Sequence, residues 1–442
     1  MAPTDEKYDV LIVGGGIVGV SLGYFLKKFD SELNVLVVEK YGVGTGATGL
    51  SAGTIWNVGY GDYHNPACVA PAITMEFIEM LYAQGYEFEY VASGALNVSS
   101  TMEERSFIQK QCGELEKRGY NVKFLSDPHQ IEKHLSPLVN GAGYTPLSSH
   151  VKSSEFALAI ADVGQRFGLE IAEDTEVLNI HPDYSQGSGD ALSINAQSPF
   201  YSVQLRGMSK GAVPKMVKAR KVVIAAGIHC NYFLGSVLGK QVEKITSEFW
   251  KKYSIVPVKG QIWTTEEAPE NFLKHIIFTV RSSFGWSSGL NPVNYETGLP
   301  PFCTHDSNGT RVLHHGYGRQ GVDGTINFGG GRLRVDRGSN ILVQQHLEDS
   351  RNFVESLLPL KQHGFIGAFT GLMPFPMCGH PLVTSFRSHG HPNLYLAGGF
   401  GPGGIKNGPG AAKVLAAEIV QKKNLFPFQE RIVAAFKSWG LN

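Results

Sequence analysis

The stretch Tyr8-Asp9-Val10-Leu11-Ile12-Val13-Gly14-Gly15-Gly16-Ile17-Val18-Gly19 carries the reading of this chain. A mostly apolar, β-branched run predicts a buried strand, and the glycines after it predict a tight turn into a helix. A second apolar run, Asn34-Val35-Leu36-Val37-Val38, ends on Glu39, twenty residues beyond Gly19. Strand, glycine turn, helix, strand and acid is the order that binds the adenosine half of a dinucleotide. Gly14 then allows the turn, Gly16 lets backbone approach a pyrophosphate, and Gly19 lets the helix pack on the strand. Ile17 and Val18 belong to the same contact. Glu39 is placed to accept hydrogen bonds from ribose hydroxyls, with Lys40 beside it. The chain holds 53 glycines in 442 residues, so glycine spacing alone says little; the flanking strands and the placed acid make it specific.

Working outward, the length is ample for a large core and two domains. Lys plus Arg (39) equals Asp plus Glu (39), so no global field draws nucleic acid or an acidic membrane. Apolar stretches such as Val222-Val223-Ile224-Ala225-Ala226 are far too short to span a bilayer. The start, Met1 to Lys7, shows no apolar signal segment, and the expected location is cytoplasmic. Cys68, Cys112, Cys230, Cys303 and Cys378 are widely spaced with no CxxC pair, which predicts neither a disulfide framework nor a zinc site. The sequons at Asn97 and Asn308 then read as chance.

Helices are expected over about Ala67 to Leu81, Ser106 to Arg118, Ser153 to Phe167 and Gly408 to Gln421. Glu170 to Ala172, Lys221 to Gly227 and Asn393 to Ala397 read as strands of a parallel sheet. From about Ser254 to Gly331 the pattern turns β-rich and aromatic, as in a sheet that roofs a pocket: Val256 to Thr264, Ile276 to Val280, Phe284 to Trp286 and Thr325 to Phe328. Ser185 to Lys218 reads as a polar surface insertion.

Four separated segments together resemble the D-amino-acid-oxidase-like flavoproteins, which include glycine oxidase, sarcosine oxidase and the dimethylglycine dehydrogenases. The opening fingerprint is the first. The second is the small-residue loop Gly44 to Gly53, and the third is Val222 to Gly227. The fourth runs from Gly371-Leu372-Met373-Pro374 through Gly379-His380-Pro381-Leu382-Val383 to Asn393–Lys406. The resemblance implies an α/β fold with an α+β substrate region: a discontinuous Rossmann-like FAD-binding domain (1-80, 145-240 and 365-442) and a β-sheet-rich substrate-binding domain (81-144 and 241-364). It implies FAD, taken as noncovalent, held by Gly46, Ala47, Thr48, Gly49, Ser51, Ala52, Gly53, Val177, Ala226, Gly227, Gly399, Gly401, Gly403, Gly404, Ile405 and Lys406 besides the opening residues. It also implies oxidation of a small amine or N-substituted amino acid by hydride transfer to flavin N5, the imine being hydrolysed by water. Oxidation of a 2-hydroxy acid, or a flavin-binding assembly protein with little turnover, stays open, as does the electron acceptor: O2, a quinone or a carrier protein.

The residues themselves agree with a flavin. The loop after Glu39 has almost no side-chain bulk, as needed where backbone lies against a planar ring. Gly399 to Gly404 precede a helix whose positive end stabilises an anionic reduced ring. Lys406 matches the lysine that holds the substrate carboxylate in sarcosine-oxidase-like enzymes, against an ordinary surface lysine. Met373 stands where glycine oxidase carries an arginine that forks onto that carboxylate, a contact methionine cannot make. Arg281 or Arg319 is a substitute, though each reads more simply as a surface charge. His64 is a pocket acid/base, a covalent flavin attachment or a hydrogen-bonded loop histidine; His314-His315 reads as a strand pair; and Cys303 and Cys378 are weighed as flavin tethers and set aside. Gly49-Leu50-Ser51-Ala52-Gly53 mimics a hydrolase nucleophile elbow, but no buried strand precedes it.

Overall fold

A computed structural model of the chain describes residues 6–183, 200–238, 247–280, 315–335 and 341–441, with the backbone alone of short strands at 285–286, 292–293, 303–305 and 311–313. Strand β1 (Lys7–Val13) sits centrally in an eight-stranded sheet. Its parallel part runs His391–Gly398, Lys215–Ile224, β1, β2 (Val35–Val38), Glu170–Ala172. Val10 and Ile12 pack on one face and Leu11 and Val13 on the other, all of them buried. Helices cover both faces of a parallel sheet, which is why the run reads as continuously apolar.

One face is covered by α1 (Ile17–Phe29), Pro66–Ala83, Ser153–Arg166 and Gly404–Val420. The Pro66–Ala83 helix is capped by Asn65, whose side chain accepts from the Ala67 N–H at 2.9 Å. The helix expected over Ser106 to Arg118 begins earlier, at Met102, because Thr101 accepts from the Glu104 N–H while Glu104 reaches back to the Ser100 N–H. The helix expected from Gly408 likewise starts earlier, at Gly404, and carries Pro409 within it. There the Gly410 N–H donates to Thr74 Oγ1 (3.1 Å), and a Cβ on Gly410 would lie 2.3 Å from the Ala70 carbonyl oxygen. Glycine is what lets these two helices touch.

One expectation fails in this sheet. Ser185 to Lys218 is not a surface insertion in its described part, since Phe200–Gly207 and Lys215–Ile224 are sheet strands. Thr175–Asp183 pairs with Phe200–Gly207, which pairs antiparallel with the first half of Lys215–Ile224; the second half of that strand pairs parallel with 394–396. Tyr201, Val203 and Leu205 alternate inward and are buried, so the polar composition belongs to one face only. Residues 184–199 lie outside the described residues.

The β-rich region forms a ten-stranded sheet around Ile255–Thr265, which pairs antiparallel with Phe365–Pro376 and with Ile326–Arg334. Tyr317–Gln320 joins Ile326–Arg334 to Ile276–Thr279, which pairs with Ala95–Ser99. Trp263 and Phe328 stack in its core, ring centroids 5.7 Å apart. A small third sheet, Thr54–Ile55 with Ser149–Val151 and Tyr90–Val91, begins directly after the small-residue loop. Among the described residues, no helix is long and apolar enough to cross a membrane, and no cluster of potential metal ligands is found.

Candidate active site

A cavity of about 740 Å³, within the usual range for ligand sites, lies where the opening turn, the small-residue loop and the 398–405 segment meet under the second sheet. Gly14 adopts φ +108°, a conformation that disfavours side chains, and its Cβ position is 2.6 Å from the Ala225 carbonyl oxygen of the adjoining strand. A Cβ on Gly19 would fall 1.9 Å from the Gly14 carbonyl oxygen, so Gly19 is a packing residue and not part of the cavity wall. Gly16, the N-cap of α1, faces the cavity with Ile17 and Val18. Ile17 N–H donates to Thr48 Oγ1 (3.0 Å), which fastens the small-residue loop to the helix start.

At the far end, Glu39 Oε2 accepts from the Gly15 N–H at 2.7 Å and Oε1 from the Tyr41 N–H at 3.0 Å. Each oxygen keeps a further lone pair, and Glu39 lines the cavity. Lys40 pairs with Glu176 (2.8 Å), which holds the ammonium pKa above its ordinary value, and Val177 lies beside it on the wall.

In the loop, Gly46, Ala47, Thr48, Ser51 and Ala52 line the cavity, whereas Gly49 and Gly53 do not. Gly49 closes on the Gly44 carbonyl oxygen (2.7 Å from its Cβ position), and Gly53, at φ +72°, closes on that of Val151 (1.8 Å from its Cβ position). Ser51 Oγ accepts from the Gly53 N–H (3.1 Å), a loop-stabilising contact. Ala226 and Gly227, past the end of their strand, also line the wall.

From the other direction come Gly401, Gly404 and Ile405. Gly399 and Gly403 lie behind them, shaping the turn: Gly399 packs on Pro376 at φ +69°, and a Cβ on Gly403 would be 2.6 Å from Asn407 Nδ2. The Gly404–Val420 helix has no side-chain cap and no acid in its first turn, so its positive end is uncompensated by its own sequence. Lys406 is half-buried and off the wall, with Nζ 5.4 Å from the centroid of the Trp56 ring.

The other candidate residues lie off the wall or outside the described residues. His64 is exposed and does not line the cavity; its backbone N–H donates to Asp62 Oδ1, which also takes the Tyr120 hydroxyl, while Oδ2 takes Arg118 Nε at 2.7 Å. The Asp62 carboxylate ties this loop to Arg118 and Tyr120. Arg319 is no surface charge: it is buried between Glu89 and the loop carbonyl of Ala52. Arg281, His314, Asn308 and the Cys303 side chain lie outside the described residues. Cys378 is half-buried against His380 and off the wall.

Sequence reasoning missed Gly260, Ile262 and Tyr317, which complete the wall with Leu372 and Met373. Tyr317 stacks on His315 (5.4 Å between centroids) and faces the guanidinium of Arg332 (5.9 Å), which also sits over Phe375 (5.8 Å). Burial pushes the Arg332 pKa down to about 10 and raises that of Tyr317. The available signal was Gly329-Gly330-Gly331: a Cβ on Gly329 would be 2.3 Å from Tyr317 Cζ, so the strand is bare where the phenol crosses it.

Residues 9–418 match the family described as FAD dependent oxidoreductase (DAO). The chain belongs to that family of FAD-dependent oxidoreductases. A stretch of 191 residues, 41% of this chain and 49% of the relative, is 27% identical to glycine oxidase of Geobacillus kaustophilus (strain HTA426). Another of 199 residues, 42% of this chain and 47% of the relative, is 25% identical to sarcosine oxidase subunit beta of an Arthrobacter species. The chain thus spans about half the length of these relatives. The crystal structure of glycine oxidase from Geobacillus kaustophilus superposes with a TM-score of 0.71 over 99% of both chains at 20% identity, which fixes a shared fold.

The cavity of this FAD-dependent oxidoreductase fits its cofactor. Gly46, Gly227 and Gly404 all line the wall, and a Cβ on any of them would meet nothing within 4 Å. Space is therefore kept beside backbone on three sides, with two helix N-termini facing it.

Proposed function

We propose that the chain oxidises the C–N bond of a small N-substituted amino acid, with the opening turn, Glu39 and the small-residue loop holding FAD and the 401–405 segment placed at its redox ring. When bound, FAD supplies a two-electron acceptor. The observation that carries the substrate reading is the wall made by Tyr317, Met373, Leu372 and Ile262, with the cation of Arg332 behind the tyrosine. The aliphatic side chains suit an N-alkyl group better than a bare ammonium. The Tyr317 hydroxyl is the group on this wall that donates to a carboxylate, and the buried Arg332 cation favours negative charge in front of it. It also disfavours protonation of the nearby amine, whose lone pair must be free for the adjacent C–H to leave as hydride. Loss of that hydride leaves an iminium, and water then adds and splits it to a carbonyl compound and an amine. Lys406, next in sequence to the wall residue Ile405 and over the Trp56 ring, adds positive charge for the carboxylate.

An anaerobic screen following loss of the visible flavin band tests this reading. N-methylated amino acids are expected to bleach the flavin. Bleaching by 2-hydroxy acids with none by amines would overturn it, and an unreactive flavin that copurifies with protein partners would favour an assembly role.

A further inference from the structure

Away from the substrate wall lies a buried polar cluster with no part in the mechanism above. Arg319, on the Tyr317–Gln320 strand, has a side chain only 8% exposed. Its Nη1 is 2.6 Å from Glu89 Oε1, and its Nε donates to the Ala52 carbonyl oxygen at 3.3 Å. His150 Nδ1 lies 3.5 Å from the same Glu89 oxygen. Burial lowers the pKa of His150, and at Glu89 the pull of His150 and Arg319 outweighs burial and holds the carboxyl below its ordinary range.

Every member is anchored to a different element. Glu89 is fixed through its backbone, its N–H donating to Glu155 Oε2 (3.0 Å) and its carbonyl accepting from the Lys152 N–H (3.1 Å). His150 sits opposite Thr54 in the small sheet. Ala52 belongs to the loop that lines the cavity, and Arg319 belongs to the second sheet. Residues two apart on a strand share a face, so Arg319 lies on the same side as Tyr317, which lines the substrate wall.

A buried ion pair is weak evidence for stability, because an apolar pair of the same volume often serves as well. What an apolar pair cannot do is donate to a carbonyl. The fixed fork of an arginine reaches a carboxylate with one nitrogen and a carbonyl with another at a set separation, which the single nitrogen of a lysine does not reproduce. We propose that Arg319 is a positioning residue that clamps the FAD-facing loop, at the Ala52 carbonyl, to the sheet carrying the substrate wall. The proposal rests on the FAD assignment and not on the choice of substrate.

The test measures FAD release from purified holoprotein after dilution, by recovery of flavin fluorescence, together with the visible spectrum and the melting temperature of the apoprotein. No substrate is added, so failure of the amine reading leaves the result intact. Arg319→Lys keeps the charge beside Glu89 and loses the second arm; release should be roughly tenfold faster or more, the size of one lost charge-assisted hydrogen bond, with the apoprotein melting within a few degrees of wild type. The double variant Glu89→Leu with Arg319→Met removes both charges and keeps volume. It should also release FAD quickly, with a blurred flavin band, while its apoprotein melts no lower than that of the single lysine variant. If either folded variant retains FAD at the wild-type rate with an unchanged spectrum, or if release speeds up only in proportion to lost melting temperature, the clamp is wrong and the cluster is structural.

Discussion

Gly16 and Gly19 are three residues apart, yet the structure assigns them opposite sensitivities, and Gly16→Val separates them. Gly16 has φ −72° and ψ 178°, extended backbone open to any residue, and a Cβ there has one neighbour within 4 Å, Thr48 Oγ1 at 3.2 Å. The apoprotein should lose about 1 kcal/mol or less, the difference between glycine and a β-branched residue at an N-cap. Bound FAD, however, must bring its pyrophosphate against this turn. Charge-assisted hydrogen bonds contribute roughly 1.5–3 kcal/mol each, so displacing two amounts to roughly 3–6 kcal/mol, or about 10²–10⁴-fold in Kd. Gly19→Ala differs, because its new Cβ meets the Gly14 carbonyl oxygen at 1.9 Å and backbone cannot swing aside as a side chain does. That variant should cost the apoprotein about 3 kcal/mol or more. Titration of FAD into each apoprotein, with thermal melts of the same samples, measures both effects. Full FAD affinity in Gly16→Val, or apoprotein losses of equal size in the two variants, would refute the assignment of Gly16 to the cofactor and Gly19 to the fold.

Asp62→Asn tests the loop that carries His64. Burial tends to raise the Asp62 pKa, but Arg118, the His64 N–H and the Tyr120 hydroxyl prevail and bring it down to about 2. With the folded value below the unfolded one, the carboxylate's stabilisation is complete above about pH 4 and fades as pH falls toward 2. The melting-temperature gap between wild type and Asp62→Asn should therefore close over that window; a gap constant from pH 6 to pH 2 would contradict it. Lys406→Ala should raise KM for a carboxylate substrate and leave flavin content unchanged, as read by steady-state kinetics and absorbance. Met373→Arg places a forked cation on the cavity wall and should lower KM for an unsubstituted α-amino acid about tenfold, whereas no change would move Met373 off the substrate path. Burial raises the thiol pKa of Cys112 and of Cys230 to about 12, so neither should react with iodoacetamide in the native protein at pH 8, as judged by mass mapping, while the half-buried Cys378 labels first.

What the sequence disclosed and what it withheld divide along physical lines. The opening turn was legible because its glycines act through local backbone geometry, and the strands around it because burial on both faces writes an unbroken apolar run. The 200–207 strand was hidden by composition, although Tyr201, Val203 and Leu205 alternate as a half-buried strand does. Periodicity, not polarity, was the signal there. Arg319 and Arg332 were opaque because a charge is read as solvent-facing until its partner is known, and Glu89 lies 230 residues from Arg319 in sequence. Tyr317 was similarly silent: only its place on a strand passing the bare backbone of Gly329 brings it to the wall. His64 failed for the converse reason, since closeness in sequence to the cofactor loop does not say which way the intervening turn points.

The strand order of the parallel sheet bears on how such a molecule is made. Lys215–Ile224 is flanked by Lys7–Val13 on one side and His391–Gly398 on the other. During synthesis the phosphate-side turn leaves the ribosome early, and α1 must wait for the Gly404–Val420 helix that covers it. Until then its apolar surface stays open to chaperones or to aggregation, and a polypeptide terminated before residue 391 lacks the 397–405 side of the cavity. Capture of the yellow prosthetic group is thereby deferred until residues 391–420 have emerged, and bound colour becomes a direct readout of molecules in which the two distant segments have closed on each other.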